Sequence, residues 1–228
     1  IHTTANPGGE IRGQIVSLVA ILDASQETGV TSSGSGVGLF TIDRAANTLS
    51  YHISYGGLGS AETMAHIHGY TPHTQSSGPV HTLPTTNPKV GVWNYNEVDE
   101  ENILLGLTYV NIHTSTYPGG EIRGQITNNL CFMDGDLAGT GASSYGVCSF
   151  SLDKVGNRLG YHITYAGLTS AETVAHIHGF ADRSGSAPPV HNLALGTPKV
   201  GLWSYGDSDE PNIEAGLTYV NVHTTNFG

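Results

Sequence analysis

Ten of the chain's twelve histidines recur in matched positions, and eight of them form two matched sets of four. His66 and His68 stand at i and i+2 in MAHIHG, and His176 and His178 stand the same way in VAHIHG. Alternate residues of an extended strand point to one face, so both imidazoles of a pair can reach one ion. His81 follows in GPVH and His191 in PPVH; His113 and His223 end the two YVN segments. The candidate site in the first copy is His66, His68, His81 and His113. In the second it is His176, His178, His191 and His223. Four imidazoles without thiolate or carboxylate suit copper or zinc, so one copper ion per copy is the expectation, with zinc the alternative. A lone H-x-H is as readily a pair of hydrogen-bonded turn residues. Recurrence of all four positions favours the metal.

The other histidines read differently. His52 and His162 alternate with the apolar residues of LSYHISY and LGYHITY, so a solvent-facing or edge position is expected. His73 is matched by Arg183 and belongs to no shared site. His2 is the counterpart of His113 and His223, but no H-x-H precedes it.

The elements that must position these rings come in duplicate. PGGEIRGQI occurs at Pro7 to Ile15 and at Pro118 to Ile126. SAETMAHIHG (Ser60 to Gly69) returns as SAETVAHIHG, PKVGVW (Pro88 to Trp93) as PKVGLW, and GLTYVN at Gly106 and Gly216. An offset of about 110 residues is a whole-domain duplication, too long for a solenoid unit. The expected division is residues 1–15 as the terminal strand of a preceding or neighbouring module, 16–126 as domain 1, and 127–228 as domain 2 lacking its own final strand. Within each copy LSYHISY alternates apolar and polar residues, and GLFTID, MAHIHG, GLTYVNIHT and EIRGQI read as further short strands. No convincing helix is read. Segments 68–89 and 95–107 read as loops. Short strands between Gly, Pro and Asn turns predict an all-β sandwich or Greek-key barrel.

Composition limits the partners. The net charge of −11 opposes nucleic-acid binding, which needs clustered Lys and Arg. No apolar run approaches the ~20 residues of a spanning helix. Cys131 and Cys148 flank a Gly-rich loop between two strand-like stretches, and a disulfide between them would imply an oxidising compartment. Paired reduced thiols are the alternative. The acidic loops NEVDEEN and GDSDEPN lack EF-hand spacing and read as solvated. The repeated Trp93-x-Tyr95 and Trp203-x-Tyr205 read as packing.

AHIHG, then GPVH, then GLTYVNIHT followed by PGGEIRGQI, resembles the CHRD (chordin-type) domain over nearly the whole chain, as two tandem copies. That resemblance implies a secreted or extracellular β-rich module. The same order is distantly similar to copper/zinc superoxide dismutase, which implies an immunoglobulin-like Greek-key sandwich with copper on an H-x-H pair and two later histidines. The loop between His68 and His81 is too short for that family's zinc subsite, so a copper-only site is the carry-over. Arg123 and Arg12 are the nearest candidates for an anion-attracting arginine, and a structural role is favoured for both.

Three functions follow. The first is an extracellular structural or adhesive repeat protein with metal-stabilised modules. Copies of itself would be its partners, joined head to tail by strand donation, unless residues 1–15 pair within the chain or the chain is part of a longer array. The second is a copper redox enzyme of superoxide-dismutase type. The third is a protein-binding module. The structural reading is preferred and catalysis is not assigned.

Overall fold

The computed structural model describes Thr4 and residues 16–228. The call on residues 1–15 therefore lies, Thr4 apart, outside the described residues.

The strand-like segments of the first copy become β1 (Leu18–Asp23), β2 (Ser35–Asp43), β3 (Thr48–Gly56), β4 (Glu62–Gly69), β5 (Pro79–Thr82), β6 (Lys89–Asn94), β7 (Thr108–Thr114) and β8 (Ile122–Ile126). The helix α1 (Glu100–Leu104) lies between β6 and β7. The second copy gives β9 (Leu130–Asp134), β10 (Tyr145–Asp153), β11 (Arg158–Ala166), β12 (Glu172–Gly179), β13 (Pro189–Leu193), β14 (Lys199–Ser204), α2 (Glu210–Glu214) and β15 (Thr218–Thr224). Two expectations are corrected. The acidic loops wind into five-residue helices, with acidic side chains in their first turns where the helix dipole favours them. The segment after His68 contains a strand, β5, paired with β4.

In domain 1 the hydrogen-bonded order is β5-β4-β7-β8-β1-β2-β3-β6, one antiparallel sheet rolled into a nearly closed barrel. Strand alternation builds its interior. Leu18, Ala20 and Leu22 of β1, Leu49, Tyr51 and Ile53 of β3, Ala65 and Ile67 of β4, and Val110 and Ile112 of β7 all point inward and are buried. β8 joins the two halves. It pairs along β7 from Thr108↔Ile126 to Ile112↔Ile122. It meets β1 at Asp23↔Arg123, and Val19 and Thr127 exchange backbone hydrogen bonds of 2.9 and 3.0 Å. Gly124 is required here: a Cβ would lie 2.4 Å from the Ile21 carbonyl oxygen.

Domain 2 repeats these strands in two separate sheets, β14-β11-β10-β9 and β13-β12-β15. No counterpart of β8 joins them among the described residues. The consequence is visible in one strand: TYVNIHT of β7 is buried at every residue, whereas TYVNVHT of β15 is half-buried at every residue but the last. Cys131 and Cys148 are register partners on β9 and β10 and form a disulfide, where domain 1 has Ala20 opposite Gly38.

The domains meet through side chains the sequence reading set aside. The His73 ring is buried, its Nδ1 2.8 Å from Ser151 Oγ, and its backbone N–H donates to the same oxygen at 3.1 Å. His162 Nε2 lies 2.8 Å from an Asp23 carboxylate oxygen. The solvent-facing expectation holds for His52, which is exposed, and fails for His162, which is buried. The outer face of β11 is covered by domain 1, and its sequence fits: a Cβ at Gly160 would lie 2.8 Å from the His73 backbone nitrogen.

Candidate metal centre

β4 and β7 set the site. Their register pairs His66 with Asn111 and His68 with Tyr109. Ala65, Ile67, Val110 and Ile112 take the inward positions, so His66, His68 and His113 stand together on the outer face. Their ring centroids are 5.3 to 5.6 Å apart. The candidate ligand nitrogens of His66, His68 and His113 lie within 4.8 Å of one another, as do those of His176, His178 and His223. Centroid distances in the second cluster are 5.3 to 5.8 Å.

Backbone carbonyls orient the rings. His68 Nδ1 lies 2.8 Å from the Ser77 carbonyl oxygen, and His113 Nδ1 lies 3.0 Å from that of Pro118. A carbonyl only accepts, so each Nδ1 carries the proton and each Nε2 is left as a bare lone pair. This is how second partners of metal-binding imidazoles fix tautomer and direction. His178 repeats it on the Ala187 carbonyl at 2.8 Å. The nitrogens left over are buried and unpartnered: His68 Nε2, His176 Nδ1, His178 Nε2 and His223 Nε2. Buried polar atoms almost always find a partner, so a converging set of orphans is a fit for an ion. In the second cluster all three rings leave such an atom, one Nδ1 and two Nε2; in the first, His66 Nδ1 and His113 Nε2 lie 3.4 Å from each other and only His68 Nε2 is unpartnered.

In the first cluster burial opposes charging of the rings. Burial pushes the His66, His68 and His113 pKa values below the usual imidazole range; for His68 and His113 the carbonyl hydrogen bonds oppose this in part. Neutral imidazole is the form that ligates metal. The His68 ring also stacks on Tyr109 at 5.0 Å, and the Arg123 guanidinium covers Tyr109's other face at 3.5 Å. Arg123 is buried and donates to the carbonyl oxygens of Gln75 and Pro72, a structural role. It does not pair with Glu121, whose carboxylate accepts from Ser32, Thr114 and the Gly59 backbone.

The expected four-ring convergence needs one correction. The register sets His81 opposite Ile67, on the core side of the sheet. Its ring stacks on Trp93 at 5.9 Å, and its Nε2 lies 3.4 Å from the Tyr51 hydroxyl. His191 is placed alike, on Trp203 at 6.1 Å and beside Tyr161. Three rings of each expected set therefore converge, and His81 and His191 lie across the sheet from them. Parity along β4 was readable from sequence, but the β4–β5 pairing was not.

The sequence reading also missed a buried ion pair at the start of β4. Lys89 Nζ donates to Glu62 at 2.6 Å and to the Pro84 carbonyl at 2.8 Å, tying β6 to the start of β4. Lys199 and Glu172 repeat the pair at 2.6 Å. Its only signal was the recurrence of AET and PKVG.

The CHRD domain profile matches residues 18–126 and 135–228. Chordin of Xenopus laevis is 28% identical over 209 residues, 81% of this chain and 22% of that protein. The chain thus spans about a fifth of that relative's length. No solved structure matches it.

Proposed function

Because the chain belongs to the CHRD domain family, we propose that it is an extracellular structural protein whose two domains each hold one metal ion on three imidazoles. The observation that carries this reading is the duplicated cluster. The candidate ligand nitrogens of His66, His68 and His113, and again of His176, His178 and His223, lie within 4.8 Å of one another. Copper suits the set best: among divalent first-row ions it binds a given nitrogen site most tightly. Bound there, the ion would link β4 to β7 and add its binding energy to folding. Among the described residues no helix is long and apolar enough to cross a membrane. The cross-strand disulfide suits an oxidising, extracellular setting. In this reading the partners are further copies of the chain, joined end to end.

Elemental analysis of purified protein tests it. Two equivalents of copper are expected, one in His68→Ala and none in His68→Ala/His178→Ala. A metal content unmoved by both variants would remove the reading.

A second reading, a copper redox enzyme, is favoured by one observation. Three protein ligands rather than four leave coordination positions for a small molecule. Against it stand the net charge of −11, unfavourable for steering an anion, and the structural commitment of Arg123. Superoxide turnover by copper-loaded protein above that of free copper would support the enzyme; its absence would leave the structural reading.

A further inference from the structure

Among the described residues domain 2 carries an open seam where domain 1 is closed. Its walls are β9 and β10 on one side and β12 and β15 on the other. Leu130, Cys131, Phe150, Leu152, Ile177 and Val220 line a cleft of about 520 Å³ between them, which Leu104 and Leu105 of domain 1 also border. In domain 1 the corresponding space is filled by β8, whose Ile122 and Ile126 are fully buried and whose backbone pairs with both β7 and β1. The outer edges of β9 and β15 pair with no strand among the described residues, and an unpaired edge is a template for strand addition.

The sequence supplies a matching strand. EIRGQI at Glu10–Ile15 is identical to EIRGQI at 121–126. Chain order excludes it from domain 1. Residues 121–126 run straight into β9, yet complete the domain before it. Residues 10–15 run in the same way into β1, and the place they would take in domain 1 is already held by β8. A domain 2 seam, in this chain or in another copy, is the vacancy that remains.

We propose that the seam between β9 and β15 accepts Glu10–Ile15 of a second copy as an added strand, joining copies head to tail. This rests on the reading of the chain as a self-associating structural protein. The contacts follow from β8. Ile11 and Ile15 would enter the cleft as Ile122 and Ile126 do, Gly13 would allow the close backbone approach that Gly124 allows, and Arg12 would cover Tyr219 as Arg123 covers Tyr109. Tyr219 already stacks on His178 at 5.0 Å, as Tyr109 does on His68, so the added strand would finish the second metal centre's surroundings. The interaction is strand complementation, and being heterologous it does not close on itself.

A second contact points the same way. Domain 1 covers the outer β11 face within the chain. The equivalent face of domain 1 presents Val37, Val90 and Val92 to solvent, the last two 61% and 49% exposed. The preceding copy's domain 2 would lie there. The residues at that contact differ, with Ser50 for Gly160 and Arg183 for His73, so the strand carries the proposal.

The test uses full-length chain and the peptide Pro7–Ile15. Light scattering should show masses at integer multiples of one chain. Ile11→Asp/Ile15→Asp should reduce them to a single chain, and the peptide should bind that variant one to one. Assembly that survives the double variant would overturn the seam while leaving self-association standing. A single-chain wild type whose double variant binds peptide would place the strand within its own chain and overturn the second-copy occupant. Failure of the peptide to bind would overturn the acceptor site. Failure of both assembly and peptide binding would remove the seam and self-association together.

Discussion

His81 stands directly across the β4–β5 pair from Ile67, and that single register relation separates it from His66 and His68, which flank Ile67 on β4. Directly opposed residues share a face, so His81 follows Ile67 into the core while His66 and His68 face outward. Copper content should therefore split the four positions. His66→Ala, His68→Ala and His113→Ala should each lose one equivalent. His81→Ala should retain both and lose stability instead, through the vacated space beside Trp93. Loss of one equivalent in His81→Ala would show that the ring reaches the ion after all.

Lys89 is fully buried and its ammonium is held by Glu62 and two backbone carbonyls. Removing one partner of a buried pair leaves an uncompensated charge, at a cost of about 3–5 kcal/mol. Lys89→Met should lower the unfolding free energy of domain 1 by that amount, read from denaturant titration, and leave Lys199–Glu172 in domain 2 intact. Glu62→Gln/Lys89→Met should recover much of the loss. A double variant as weak as the single would show that packing, not charge, was lost.

The disulfide closes a loop of 17 residues in sequence separation. Such a loop is worth roughly 3 kcal/mol through the unfolded chain. Among the described residues its strand β9 has no outer neighbour of the kind β1 has in β8, so the staple acts where that pairing is not seen. Reduction, or Cys131→Ala/Cys148→Ala, should lower the unfolding transition of domain 2 and leave that of domain 1 in place. Equal shifts of both transitions would count against this.

His73 gives a pH dependence with a definite sign. Burial pushes its pKa well below the usual imidazole range; His162 and Arg123 act in the same direction and Asp23 opposes. In the unfolded chain the ring titrates near its ordinary value of about 6.5. Above that value neither state holds the proton and His73 adds no pH dependence. Below it the unfolded chain binds a proton that the folded one refuses, so stability falls, by at most ~1.4 kcal/mol per pH unit from this one group. In metal-free protein, His73→Gln should flatten the loss of stability between pH 6.5 and 5. An unchanged slope would mean that the ring is protonated in place.

Much of this molecule was legible in sequence because duplication states each constraint twice. Alternation in LSYHISY and LGYHITY gave strands, the repeat gave two domains, and the H-x-H spacing alone set two imidazoles on one face. Cys131 and Cys148 were readable as a candidate bridge because both fall on strand-like segments. The five-residue helices escaped because too few residues are present for a helical period to show.

What only the tertiary structure decided is which residues oppose one another. Strand parity is a local property with a period of two, so sequence determines it. Register across strands depends on turns, bulges and side-chain packing at a distance. It turned His81 inward, brought His113 to the outward pair, and gave the rings their carbonyl partners through a backbone that has no side-chain signature. Burial between domains likewise overrode the local pattern at His162, and only the three-dimensional comparison of β7 with β15 shows that nearly the same sequence is buried in one domain and half-buried in the other.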